Sequence, residues 1–239
     1  MLAQADGRGL LSDEHFTVDG TLIEAWANRR SFHEKKDPPA RGSGSKGKKL
    51  LRDTHESGTD PEARLYKKST AGDAKPSDLG HLVMENRHGL VMKSCVTLSG
   101  TREEREAALK MLTRMVRERE AKRKPGEEFG PVTVGGDKGY QEEEFIQGLR
   151  ELRMVPHIAE YQTNTKWPNW LTASERDDPG FAISQCKRKL IESLFGWIKC
   201  VAGLRKTKFR GRRRVGWMFT WAAAVSNLIR LAKLIPAEA

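Results

Sequence analysis

The sequence predicts a mixed α/β fold, one five-stranded sheet flanked by helices with a basic flexible insertion, and three observations predict it. Three short β-branched or aromatic runs precede the first long helical pattern, strands and helices alternate after it, and two helices close the chain. A fully parallel, doubly wound sheet needs helices between its first strands as well, so this order calls for a mixed sheet.

Each element has its own signal. The run FTVDGTLIEAWAN (16–28) begins as a strand and reaches a turn at Asp19-Gly20, which makes residues 1–28 an N-terminal segment ending in the first core strand. Residues 29–62 are rich in Lys, Arg, Gly, Ser, Asp and Pro. They have too few apolar side chains to offset the entropy of ordering, and they form the expected insertion. Residues 63–235 hold the rest of the core.

In that remainder, ARLYKKS (63–69) reads as strand two and HLVMENRHGLVMKSCVTLS (81–99) as strand three, the latter split at Asn86–Gly89. Thr101 to Arg123 reads as a helix opened by a Thr101–Glu104 capping box, with Ala107, Leu109, Met111, Leu112, Met115 and Val116 at helical spacing. PVTVGG (131–136) is a short strand that runs into Asp137, and QEEEFIQGLRELR (141–153) resumes a helical pattern. Met154 to Ala159 supplies the fifth strand. A polar loop over 160–180 carries Trp167 and Trp170, which either stack on exposed bases or cap the core. Helices over 181–202 and 215–234 follow. The apolar stretch Val215 to Ile229 is 15 residues long, short of the ~18 of a membrane span, and reads as a buried core helix.

A net charge of +11 and a pI near 9.7 make an acidic polymer the leading partner, because Lys and Arg gain affinity by releasing counterions from phosphates. Cys95, Cys186 and Cys200 form no even set and no C-x-x-C pair, which argues against a disulfide framework or structural zinc and favours a reducing cytosol. No basic flank followed by an apolar run marks a secretion signal.

Phosphodiester chemistry run by two metal ions needs carboxylates from distant parts of the chain to converge. Asp19 ends the first expected strand, Asp137 the fourth, and Glu192 lies in a helix expected to pack on the sheet. At 100° per residue Gln185, Arg188, Glu192 and Lys199 fall within about 60° of one another at the margin of that helix's apolar arc. Taken alone, Arg188 and Glu192 also fit an ordinary i,i+4 ion pair, and Asp before Gly also fits a plain turn.

Three strings carry a resemblance: FTVDGTLIEAW, VTVGGDKGY and RKLIESLFGWIK. In order, setting and Arg-x3-Glu-x6-Lys spacing they resemble the three acidic blocks of bacterial insertion-sequence DDE transposases. The likeness runs on through GHLVMENRHGLV and GLRKTKFRGRRRVGWMFTWAAAVSNLIRL, from about Phe16 to Leu234. It implies an RNase H-like fold, metal ligation by Asp19, Asp137 and Glu192, and magnesium or manganese as cofactor, as two ions. It also implies that Arg188 and Lys199 steady the glutamate and contact DNA phosphate. Where the related pattern often has Tyr three residues before the Arg, this chain has Gln185, which receives no role. Only 18 residues precede Asp19, so the chain is expected to lack the N-terminal region that recognises transposon ends.

The implied partner is double-stranded DNA, as transposon ends and as target, handled by a homo-oligomer in the bacterial cytoplasm at the nucleoid, with no membrane and no nucleotide cofactor. The channel is expected at Lys199 to Arg214, where Lys199, Arg205, Lys206, Lys208, Arg210, Arg212, Arg213 and Arg214 place eight cations in 16 residues. Two alternatives remain open: an inactive DNA-binding transposase remnant, and an RNase H-like structure-specific nuclease that cuts without joining.

Overall fold

A computed structural model describes residues 1–37, 51–67, 73–122, 130–161 and 168–235. Eight strands occur among these residues: β1 (His15–Glu24), β2 (Phe32–Glu34), β3 (His55–Ser57), β4 (Arg64–Tyr66), β5 (Lys75–Glu85), β6 (Val91–Leu98), β7 (Val132–Gly136) and β8 (Met154–Ile158). The helices are α1 (Leu2–Gly7), α2 (Leu51–Thr54), α3 (Thr101–Ala121), α4 (Glu143–Glu151), α5 (Ala173–Arg176), α6 (Phe181–Lys187), α7 (Lys189–Cys200) and α8 (Arg212–Leu234).

Five strands make the core sheet in the order β6-β5-β1-β7-β8, antiparallel across β6, β5 and β1 and parallel across β1, β7 and β8. This is the mixed, helix-flanked RNase H-like architecture that the resemblance implies. A sixth, three-residue strand, β4, continues the outer edge of β5 beside residues 75–77.

The second and third strands differ from expectation. HLVMENRHGLVMKSCVTLS is itself the hairpin β5–β6, and ARLY supplies only β4. The hairpin turn is fixed by the buried Glu85, whose carboxylate accepts the backbone N–H groups of Arg87 (3.0 Å), His88 (3.0 Å) and Leu90 (2.8 Å). A glutamate read as part of a strand is thus the device that ends it.

Strand alternation sorts the core into two layers. Phe16 and Val18 of β1 and Val83 of β5 pack with α3 and α4, around Leu112, Phe145, Ile146 and Leu149. Ile23 of β1 and Leu82 and Met84 of β5 pack on the opposite face with Ile191, Phe195 and Ile198 of α7 and Val215 and Phe219 of α8. Gly80 lets Phe219 lie flat on β5, since a Cβ there would come within 2.8 Å of the ring.

α8 is a correction to the sequence reading. It packs on the sheet along one side only, and Trp217 (65% exposed), Trp221 (54%) and Leu228 (51%) face outward. Among the described residues no helix is long and apolar enough to cross a membrane. The described part of residues 29–62 includes the hairpin β2–β3, with Phe32 opposite Ser57; residues 38–50 and Trp167 lie outside the described residues. Just beyond that hairpin, Asp60 and Glu62 take the backbone N–H groups of Gly211 and Arg212 and thereby cap the start of α8.

Candidate active site

Backbone register brings two acids together. β1 and β7 run parallel with Phe16 opposite Val134 and Thr17 opposite Gly135, so two residues further on Asp19 comes beside Asp137, where β7 has just ended. The expected turn at Asp19-Gly20 does not form: β1 runs on to Glu24 because both residues pair with β5, Asp19 opposite Leu82, and Asp19 Oδ1 accepts the N–H of Gly20 at 2.7 Å. Asp137 caps the short 3-10 turn Lys138–Tyr140, its Oδ1 accepting the N–H of Gly139 at 2.8 Å. Both side chains are half-buried.

Near both is Tyr140, fully buried. Its phenol is pushed well above the usual range, by burial first and then by the carboxylates of Glu104, Asp19 and Asp137. Glu104 is the acid that sequence reasoning placed elsewhere. The expected capping box does not form, because Gly100 occupies the N-cap of α3 and no side chain caps it. Glu104 instead reaches across to β1, so close that a Cβ on Gly20 would lie 2.4 Å from its Oε1. A glycine inside a strand is the one local sign of such a close approach.

Glu192 is held differently. Ile191, Leu194, Phe195 and Ile198 bury one side of α7, while the Glu192 side chain is 61% exposed. The expected single helix over 181–202 breaks at Arg188, between α6 and α7. Arg188 lies 3.6 Å from Glu192, and its Nε donates to Gln185 Oε1 at 2.8 Å. Gln185 in turn donates from Nε2 to the His157 carbonyl on β8 at 2.7 Å. The residue given no role is therefore the one that ties Arg188 to the sheet. Lys199 sits in the last turn of α7.

Asp19 and Asp137 come together, but among the described residues no three His, Cys, Asp or Glu side chains group closely enough to hold a metal ion. The hard oxygen donors of the two aspartates suit magnesium or manganese in kind. The exposed Glu192 carboxylate, loosely paired to Arg188, has rotamer freedom toward solvent.

The basic stretch after α7 is laid along the end of β1. Glu24 donates its N–H to the Arg205 carbonyl (3.1 Å), and Thr207 donates to the Glu24 carbonyl (2.8 Å), with Lys206 bridged between. Arg205, Lys206, Lys208, Arg210, Arg213 and Arg214 are exposed. Arg212 is committed to Glu62, with Nε at 3.0 Å and Nη2 at 2.9 Å from the same carboxylate oxygen.

Residues 12–228 match the family described as the transposase DDE domain. The chain belongs to that family. The match covers all three acidic blocks, so the transposase domain contains Asp19, Asp137 and Glu192 together with the helices that carry or face them. No curated protein matches the chain. Among solved structures, the Mos1 mariner paired end complex with Mn is similar at 12% identity over 88% of this chain, with a TM-score of 0.31. The chain spans 60% of that Mos1 chain.

Proposed function

We propose that this transposase domain is a catalytic core that cleaves DNA strands and joins the freed 3′-hydroxyl to target DNA, with Asp19, Asp137 and Glu192 as metal ligands. The observation that supports the reading is the parallel register of β1 and β7, which, carried two residues past its last pair, brings Asp19 level with Asp137. Bound there, two magnesium or manganese ions supply an acidified water and charge neutralisation at the scissile phosphate.

The chain's own residues do the rest. Arg188 and Lys199 hold phosphate near the acids, Gln185 fixes the direction of Arg188, and the exposed cations from Arg205 to Arg214 follow the backbone of double-stranded DNA. The buried Tyr140 lies within electrostatic reach of both aspartates. A homo-oligomer working in the cytoplasm, with transposon ends and target DNA as its partners, fits this reading.

The test is magnesium-dependent nicking of duplex DNA carrying the element's ends, comparing the chain with Asp137→Asn. The variant is expected to lose roughly 100-fold or more of the rate while folding normally. Equal nicking by both proteins assigns the chemistry to other residues. Nicking without strand joining selects the nuclease alternative, and salt-sensitive DNA binding without nicking selects the remnant.

A further inference from the structure

An amphipathic helix buries one side and normally turns charged and polar residues outward. α8 buries Val215, Phe219, Ala222 and Ala223, but its outer side carries Trp217, Trp221 and Leu228. Large apolar groups clustered in water mark a surface with a partner. The two indoles stack in parallel, with an interplanar angle of 0° and ring centroids 6.2 Å apart, so they form a preset aromatic shelf.

The shelf borders an open cleft of about 750 Å³ lined by Phe209, Arg213, Arg214, Gly216, Trp217 and Thr220. Arg213 and Trp217 are one helical turn apart and share a side of α8. Among the described residues neither Arg213 nor Arg214 has an ion-pair partner, whereas Arg212 beside them is held by Glu62. Cations in the first turn of a helix oppose its dipole, so helix stability does not account for them.

These features together select the occupant. A second copy of the chain would bring the same +11 charge and the same arginines to the contact. A nucleic acid offers phosphates to the guanidiniums and flat bases to the indoles at once. In a duplex the base faces are already stacked on one another; only an unpaired strand has them free. We propose that Phe209, Trp217 and Trp221, with Arg213 and Arg214, bind single-stranded DNA, bases on the aromatic shelf and phosphates on the arginines. The inference rests on the reading that this chain works on DNA and adds to it a site for strands freed from pairing.

The test measures fluorescence anisotropy of the full chain with a labelled oligothymidine of about 15 nucleotides and, separately, a labelled duplex. Trp217→Ala with Trp221→Ala is expected to weaken single-strand binding about tenfold or more and to leave duplex binding within about twofold. Trp217→Phe with Trp221→Phe, which keeps flat rings, restores much of it. Arg213→Gln with Arg214→Gln is expected to lower the salt slope for single strands by about 1.4, two phosphate contacts' worth. Unchanged single-strand binding by the double alanine variant overturns the proposal, as does a wild-type dimer that this variant turns into a monomer. If the wild type binds duplex and not single strands, the shelf proposal fails and the DNA reading stands. If it binds neither, both fail.

Discussion

The acids of this transposase domain are held in two different ways. Asp19 and Asp137 are held by backbone: Asp19 sits in the ladder of β1 with β5, Asp137 follows directly on β7, and backbone N–H groups of Gly20 and Gly139 fix their carboxylates. Glu192 hangs from a helix whose place depends on side-chain packing, and its direction depends on a relay from the His157 carbonyl through Gln185 to Arg188. Ladder hydrogen bonds leave little freedom, whereas a relay of side chains has two discrete arrangements or more. The difference teaches which part of the proposed site the backbone fixes and which part binding would have to complete.

The sharpest break of that comparison is chemical. Asp19→Asn and Asp137→Asn are each expected to abolish magnesium-dependent nicking, by roughly 100-fold or more, with the urea midpoint changed little, because both side chains are half-buried and neutralisation keeps their shape. A large fall in the midpoint would make these acids structural and erase the contrast.

The helix layer is next. Asp78 lies on the same side of β5 as Gly80 and Leu82, fully buried, with neither carboxylate oxygen hydrogen-bonded among the described residues, and burial followed by the nearby Asp60 carboxylate pushes it up to about 7. Because the unfolded chain ionises this group near pH 4 and the folded chain only near 7, its contribution to stability falls as pH rises from about 4 to 7 and is flat above. Asp78→Asn is expected to remove that decline and to gain on the order of 2 kcal/mol at pH 8 but little at pH 4, read from urea melts. A gain that is the same at both pH values contradicts the account. Gly80→Ala works the other way. A methyl 2.8 Å from the Phe219 ring has no room, and the expected loss is about 1–2 kcal/mol of stability, read from urea melts. Nicking should fall with it at temperatures where the wild type is unaffected, since α8 supports α7.

Much of this was legible in the sequence, and the missing part has a physical reason. β1 and β7 announce themselves through β-branched runs, although β1 continues through Asp19-Gly20 to Glu24 where a turn was expected, and α3 and α4 through helical spacing of Leu112, Met115, Phe145 and Leu149. The acids could be chosen because their blocks resemble a family, not because any one of them stands out locally. What local pattern does not contain is the partner across space. Glu104 looked like a capping residue and lies against Gly20, and Gln185 looked like a departure from a pattern and binds a carbonyl on β8. α8 is apolar enough to be read as buried on all sides, yet among the described residues one of its sides stays exposed.

The smallest effect tests the relay itself. Gln185→Ala removes the acceptor for Arg188 Nε and the donor to the His157 carbonyl, leaving Arg188 on a helix break with only a 3.6 Å contact to Glu192. Loss of one neutral side-chain hydrogen bond is worth about 1 kcal/mol, so a nicking rate about fivefold lower is expected, with DNA affinity nearly unchanged. Gln185→Glu keeps an acceptor for the guanidinium while losing the donor to β8, and should recover part of the rate. If Gln185→Ala lowers affinity and rate in step, Arg188 serves only to hold phosphate, and the separate steering of Glu192 is not needed to explain it.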